Sequence, residues 1–269
     1  MSEFAAPRKS LGQNFLQDPN IINKIVASLN IQNEDIVIEI GPERGALTEL
    51  ILPQAKQLHL IEFDRDLVAY WEQRAKSQNS LIVHGEDILK FDLTELIDSV
   101  VNNGGGPIKV IGNLPYNISS PVLFHLMQYA DSFKSQVVML QKEVVERMEA
   151  NPGNKQYGRL SVMLQQRYTI EHLFNVPATA FFPAPKVESA IARLAPREKQ
   201  AAFEIDDHAA FAKLVKQAFS QRRKTLRNTL KGLLDENQMA SLDIDPSARA
   251  ETLSVNDFCR LADCYSKAK

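Results

Sequence analysis

Between Asp35 and Gln141, five short runs rich in valine, isoleucine and leucine alternate with longer stretches whose apolar residues recur at helical spacing. The runs cover Asp35–Ile40, Gln57–Phe63, Ser80–His84, 107–112 and about 135–141, and helices are expected over about 46–52, 64–77, 92–101 and 120–129. Short apolar runs bounded by turn residues read as strands covered on both faces, and strands that alternate with helices pair in parallel. The chain is therefore expected to form an α/β, doubly wound, mostly parallel Rossmann-like sheet. A helix opened by Asp18-Pro19 precedes it, helices over 142–150 and 158–167 follow, and segments near 169–175 and 187–194 read as a closing strand pair. From about residue 199 no strand pattern remains. That sets an expected boundary between a domain of residues 1–198 and a small C-terminal helical domain of residues 199–269.

Doubly wound sheets bind ligands beyond the carboxyl ends of their strands, where the strand order reverses. Four residues are expected there: Gly41 after the first strand, Glu62 at the end of the second, Asp87 after the third and Asn113 after the fourth. Glu62 stands 21 residues beyond Gly41, the offset at which an acid meets the ribose hydroxyls of a nucleoside. Asp87 could accept from the adenine amine of the same nucleoside. Taken singly, each also reads as a solvated strand-end acid. The loop Gly41-Pro-Glu-Arg-Gly45 departs from the dinucleotide pattern G-x-G-x-x-G by placing Glu43 at the second glycine. A carboxylate there repels a pyrophosphate, and its Cβ blocks close backbone approach. This disfavours a nicotinamide oxidoreductase and favours a ligand without phosphate, of which S-adenosylmethionine is an example.

The fourth strand runs into Gly112-Asn-Leu-Pro-Tyr-Asn-Ile118, and Ser119 or Ser120 with Pro121 forms a helix-start signal. Pro115 fixes its own φ and holds Leu114 extended. Two acceptors, the Asn113 side-chain oxygen and the Leu114 carbonyl, are then set beside the Tyr116 ring. Such a set can hold the exocyclic amine of a base while the ring stacks on it. The same residues also read as a turn with a capping Asn and a core Tyr.

Composition excludes little. A net charge of −2 argues against a protein basic throughout but not against a local basic face. Arg222, Arg223, Lys224, Arg227 and Lys231 fall in one stretch without an acid, on an expected helix whose Leu226, Leu230, Leu233 and Leu234 pack inward. Alone this reads as a solvated helix face, and beside an RNA-acting domain as a phosphate-contacting one. No run of eighteen apolar residues is present, and the first ten residues lack the apolar core of a signal peptide. Cys259 and Cys264 have no histidine partners nearby. No membrane span, disulfide framework or metal site is expected, and a reduced cytoplasmic protein is the simplest reading.

Several stretches together resemble one family. They are Lys9-Ser-Leu-Gly-Gln-Asn-Phe-Leu16, Glu39-Ile-Gly-Pro42 with Gly45-Ala-Leu-Thr48, Ile61-Glu62, and Gly85-Glu-Asp87. Gly112-Asn-Leu-Pro-Tyr-Asn-Ile118, Phe181-Phe-Pro-Ala-Pro-Lys-Val-Glu-Ser189 and Phe219-Ser-Gln-Arg-Arg-Lys-Thr-Leu226 complete the set. In this order they resemble the ribosomal RNA adenine N6,N6-dimethyltransferases of the bacterial kasugamycin-sensitivity type. The resemblance implies a class I methyltransferase sheet using S-adenosylmethionine, with Asn14, Leu16, Gly41, Glu62, Asp87 and Asn113 lining its site. It implies that Tyr116 and Phe181 enclose the target adenine, leaving Phe182 as the core member of that pair. The implied substrate is two neighbouring adenosines in a hairpin near the 3′ end of small-subunit rRNA. The implied partner is the small ribosomal subunit or its precursor, with a part in its maturation, and a monomer is expected. Glu43 stands where the family usually has glycine, and its side chain is expected to turn outward. Two alternatives stay open: a large-subunit methylase of the macrolide-resistance type, and an RNA-binding assembly factor with weak or lost catalysis.

Overall fold

The computed structural model describes residues 14–198 and 204–268. Lys9 to Gln13 of the first matching stretch, and the expected domain boundary at 199, lie outside the described residues. The strands are β1 (Phe15–Leu16), β2 (Ile36–Ile40), β3 (Gln57–Ile61), β4 (Leu81–His84), β5 (Ile108–Asn113), β6 (Phe133–Gln141), β7 (Tyr168–Val176), β8 (Phe181–Phe182) and β9 (Ser189–Pro196). The helices are α1 (Pro19–Leu29), α2 (Thr48–Ile51), α3 (Arg65–Ala75), α4 (Leu93–Asn102), α5 (Ser119–Met127), α6 (Lys142–Glu149), α7 (Arg159–Arg167), α8 (His208–Ala218), α9 (Leu226–Thr229), α10 (Glu236–Ala240) and α11 (Val255–Lys267).

Seven strands form one sheet in the order β4-β3-β2-β5-β6-β9-β7. β2 to β6 pair in parallel, and β9 returns antiparallel to β6. The chain winds from β2 outward through β3 and β4, then crosses back to β5, so the strand order reverses between β2 and β5. In register, Ile40 lies beside Ile61 on one side and Gly112 on the other, which brings the ends of three strands level. β2 is buried along its whole length, as a central parallel strand must be. Trp71, Leu58, Leu60, Val37 and Ile111 share one core cluster, each fully buried. Side chains of this size each contribute roughly 1.5–3 kcal/mol of burial.

The starts of α1, α3 and α4 follow from single acids. Asp18 accepts from the backbone of Asn20 and Ile21 to open α1, and Asp64 and Asp92 open α3 and α4 in the same way. The hydroxyl cap expected at α5 does not form. Ser119 lies inside the helix and its hydroxyl donates back to the Pro115 and Tyr116 carbonyls, at 3.1 and 3.3 Å.

The chain divides into two compact units. The first comprises the residues up to Val145 with Glu171–Pro196, and the second Glu146–Ile170 with Arg197–Lys269. The helical unit therefore reaches further back than the boundary expected from the end of the strand pattern. The cause is packing between residues distant in sequence: α7 packs with α8 and α11, and the buried Tyr157 hydroxyl donates to the Leu253 carbonyl at 2.9 Å. Cys259 is a buried free thiol of this unit, its pKa pushed up to about 12 by burial and then by Asp263, and Cys264 is half-buried. Among the described residues no helix is long and apolar enough to cross a membrane, and no group of three or more His, Cys, Asp or Glu could hold a metal ion.

Candidate active site

The loop after β2 is shaped by two glycines with positive φ, Gly41 at +66° and Gly45 at +87°. A Cβ on Gly45 would come within 2.7 Å of the Trp71 ring, so only glycine lets the loop lie against α3. Trp71 Nε1 donates to the Glu43 carbonyl at 3.0 Å and clamps the loop from that side. Glu43 itself has φ +51°, a left-handed conformation that glycine would adopt without strain.

Glu62 follows β3 and is held by backbone donors. Its Oε1 accepts from Phe63 at 2.8 Å and Asp64 at 2.9 Å, and its Oε2 from Glu43 at 3.3 Å. Burial raises its pKa, and the three N–H groups oppose the rise. Asp87 follows β4, and its Oδ1 accepts from Leu89 N–H at 3.0 Å, which orients the carboxylate. At the end of β5, Asn113 Nδ2 donates to the Asn14 carbonyl at 3.3 Å, and the Asn113 side chain also hydrogen-bonds the Glu43 carboxyl. The next residue, Leu114, donates its N–H to the Met139 carbonyl at 3.2 Å. The Tyr116 hydroxyl lies 2.6 Å from Ser189 Oγ, and Ser189 is fully buried.

These residues line one cleft at the carboxyl ends of β2, β3, β4 and β5. Asn14, Gly41, Glu62, Asp87, Asn113, Leu114 and Tyr116 all reach it, as the sequence predicts. Five acids line it, Glu43, Glu62, Asp64, Glu86 and Asp87, and among the described residues no lysine, arginine or histidine does. A cleft whose charged groups are all acidic favours a cationic ligand over a phosphate. Phe63, 62% exposed, adds an apolar ring at the edge.

Glu43, Leu16, Phe181 and Phe182 are placed otherwise than expected. Glu43 does not turn outward: its side chain enters the cleft and meets Asn113. Burial, then Glu62 and Glu39, hold its carboxyl well above the usual carboxylate range, against the opposing effects of Asn113 and Arg44. Leu16 and Phe181 do not line the cleft but lie in the core, 6% and 5% exposed, paired in register between β1 and β8. Adjacent strand residues face opposite sides, so Phe182, 56% exposed, is the outward member of its pair and Phe181 the core member. Ser189, which sequence reasoning did not single out, supports the site from behind through its bond to Tyr116.

The basic residues lie in the helical unit. Arg222, Arg223, Lys224, Arg227 and Lys231 are all exposed, while Leu226, Leu230 and Leu234 are buried and Leu233 is half-buried. They do not form one helix: only Leu226–Thr229 is helical, and Thr225 bridges to Arg249 beside it. Arg222 pairs with Glu251 at 3.1 Å and donates to the Lys155 carbonyl.

A mostly parallel sheet with its cleft at the β2–β5 switch point, acid-lined and without a phosphate cradle, is that of a class I methyltransferase. The family model for ribosomal RNA adenine dimethylases matches residues 5–267. The chain belongs to that family. It is 48% identical to the ribosomal RNA small subunit methyltransferase A of Chromobacterium violaceum, over 96% of this chain and 95% of that one. The protein of the same name from Aromatoleum aromaticum is also 48% identical, over 100% and 97%. Among solved structures, a dimethyladenosine transferase from Plasmodium falciparum has a TM-score of 0.77 at 29% identity, with 92% of this chain and 95% of that one covered. The 23S rRNA methyltransferase ErmE shares the fold, with a TM-score of 0.68 at 22% identity and 94% and 100% covered.

Proposed function

We propose that this protein transfers methyl groups from S-adenosylmethionine to the N6 amines of two adjacent adenosines, in a hairpin near the 3′ end of small-subunit rRNA. In this reading it acts on the small ribosomal subunit or its precursor during maturation. The observation that carries the reading is the Asn113–Tyr116 loop, tied at Asn14 and Ser189, standing over a cleft whose charged lining residues are all acids. The donor set fits the cosubstrate. Glu62, already oriented by three backbone N–H groups, has one lone-pair site left, on Oε2, for a ribose hydroxyl, and Asp87 can accept from an adenine amine. Asn14, Gly41 and Asn113 complete that wall.

S-adenosylmethionine, when bound, supplies a methyl carbon made electrophilic by its sulfonium, so no nucleophilic side chain is required. The work left to the chain is to bind and orient the amine, whose lone pair is delocalised into the adenine ring. Asn113 Oδ1 and the Leu114 carbonyl accept its two N–H groups and favour a pyramidal nitrogen. Both acceptors hold the amine more strongly as it turns cationic, which stabilises the transition state over the ground state. Tyr116 stacks on the base, its ring fixed through Ser189, and this orientation supplies much of the remaining acceleration. The spare proton leaves to water, and no general base is assigned. Arg223, Lys224, Arg227 and Lys231 contact rRNA phosphates, with Arg222 anchored partly by Glu251. The Phe181 and Leu16 side chains are buried, so any part Leu16 plays in cosubstrate binding falls to its backbone.

The test is transfer of labelled methyl groups to small subunits lacking the modification, with large subunits as control and digestion to nucleosides. Dimethyladenosine on the small subunit alone is expected. Label on the large subunit would assign the protein to the resistance-type relatives, and binding without transfer would leave an assembly factor.

A further inference from the structure

The residue that departs from the family pattern spans the cleft at an informative place. Glu43 donates its backbone N–H to Glu62 and hydrogen-bonds Asn113 through its carboxyl. In the function proposed above, Glu62 holds the ribose and Asn113 the target amine. The sulfur of the cosubstrate joins those two ends, since it carries both the ribose 5′ carbon and the methyl group directed at the amine. Glu43, whose N–H meets Glu62 and whose carboxyl meets Asn113, would therefore border the sulfur. The backbone of Glu43 is fixed at both polar groups, by Glu62 and by Trp71 Nε1, and the carboxyl is held by its hydrogen bond to Asn113.

We propose that Glu43 is a specificity-determining residue that favours S-adenosylmethionine over its product S-adenosylhomocysteine, by placing a carboxylate against the sulfonium. The two ligands share the nucleoside, the ammonium and the carboxylate, and differ only in the methyl group and the charge on sulfur. A carboxylate beside that charge attracts the cosubstrate and has no counterpart to attract in the product. The effect is relief of product inhibition. It adds a property to the fold and is not required for the transfer itself.

The surrounding charges make the carboxyl sensitive to the ligand. Glu62 faces it from the end of β3, Glu39 from β2, Arg44 from its own loop, and Asn113 and Tyr116 from the end of β5 and the following loop. Burial and the two glutamates favour the protonated carboxyl, and an adjacent cation favours the ionised one. Cosubstrate binding therefore expels a proton that product binding leaves in place.

This inference rests on the cosubstrate reading, and calorimetry of the full chain with both ligands separates the two. In Glu43→Gln, affinity for S-adenosylmethionine is expected to fall about tenfold while that for S-adenosylhomocysteine stays within about twofold. Glu43→Gly, suited to the positive φ, gives the same split and guards against a folding defect. In the parent, titrations in two buffers of different ionisation enthalpy show proton release with the cosubstrate only. Equal loss for both ligands would place the carboxylate at the shared ammonium and overturn the inference, as would no loss for either. A parent that binds neither ligand would overturn the cosubstrate reading with it.

Discussion

The Tyr116 hydroxyl and Ser189 Oγ, 73 residues apart in sequence, lie 2.6 Å from each other. The bond ties the loop after β5 to the first residue of β9, the strand antiparallel to β6. The orientation of the tyrosine ring is thus set in part by a residue outside its own loop. Removing the buried hydroxyl leaves the Tyr116 O–H without this partner, at a cost of about 1–3 kcal/mol. Ser189→Ala is expected to lower kcat about tenfold in methyl-transfer assays, with S-adenosylmethionine affinity unchanged. Tyr116→Phe, which keeps the ring, should lose less than Tyr116→Ala.

Glu62 offers a sharper test of cosubstrate binding. Its two oxygens together accept from Glu43, Phe63 and Asp64. An amide cannot accept at both ends, so Glu62→Gln turns an N–H group toward a backbone N–H. Titration calorimetry is expected to show S-adenosylmethionine binding weakened about tenfold or more, and the melting temperature should fall with it. Unchanged binding would remove Glu62 from the site.

Stability carries a signature of Glu39, a fully buried acid on β2 hydrogen-bonded by Thr48 at 2.7 Å. Burial raises its pKa from 4.5 to about 8, against the Thr48 bond and with smaller help from Glu62 and Glu49. The folded protein therefore binds a proton more tightly than the unfolded chain, and stability falls as pH rises from 4.5 towards 8. Glu39→Gln, neutral at every pH, should unfold at a higher temperature than the parent at pH 7, by up to about 3 kcal/mol, and show no gain near pH 4.

In the function proposed above, the exposed basic residues contact rRNA phosphates. Replacing Lys224, Arg227 and Lys231 by alanine is expected to raise KM for small subunits about tenfold, leaving kcat and S-adenosylmethionine affinity as they were. The dependence of log affinity on log salt should flatten by about 2–3 units, because each alanine removes one phosphate-neutralising charge. An unchanged salt slope would assign these residues to solvent.

What the sequence reveals and what it hides follow from the range of the forces involved. Strands β2 to β6 are legible because parallel strands covered on both faces must be apolar throughout, and strand ends then locate Gly41, Glu62, Asp87 and Asn113 without further information. The direction of Glu43 is not legible, since it depends on a clamp from Trp71, 28 residues away. Phe181 and Phe182 are indistinguishable by pattern because β8 has only two residues, too few to show a period, and its register with β1 decides which ring is buried. Ser189 is hidden by distance along the chain: a hydroxyl carries no pattern until the fold brings Tyr116 to it. The reach of the helical unit back to Glu146 depends on packing among α7, α8 and α11, which no local composition marks.

In the function proposed above, Asn113, whose side chain donates to the Asn14 carbonyl, binds and polarises the reacting amine. The direct measurement is single-turnover methyl transfer to small subunits by Asn113→Ala, at saturating S-adenosylmethionine and with its binding measured in parallel. The predicted rate is about a hundredfold or more below the parent while the cosubstrate still binds. A rate within a few fold of the parent would contradict the claim.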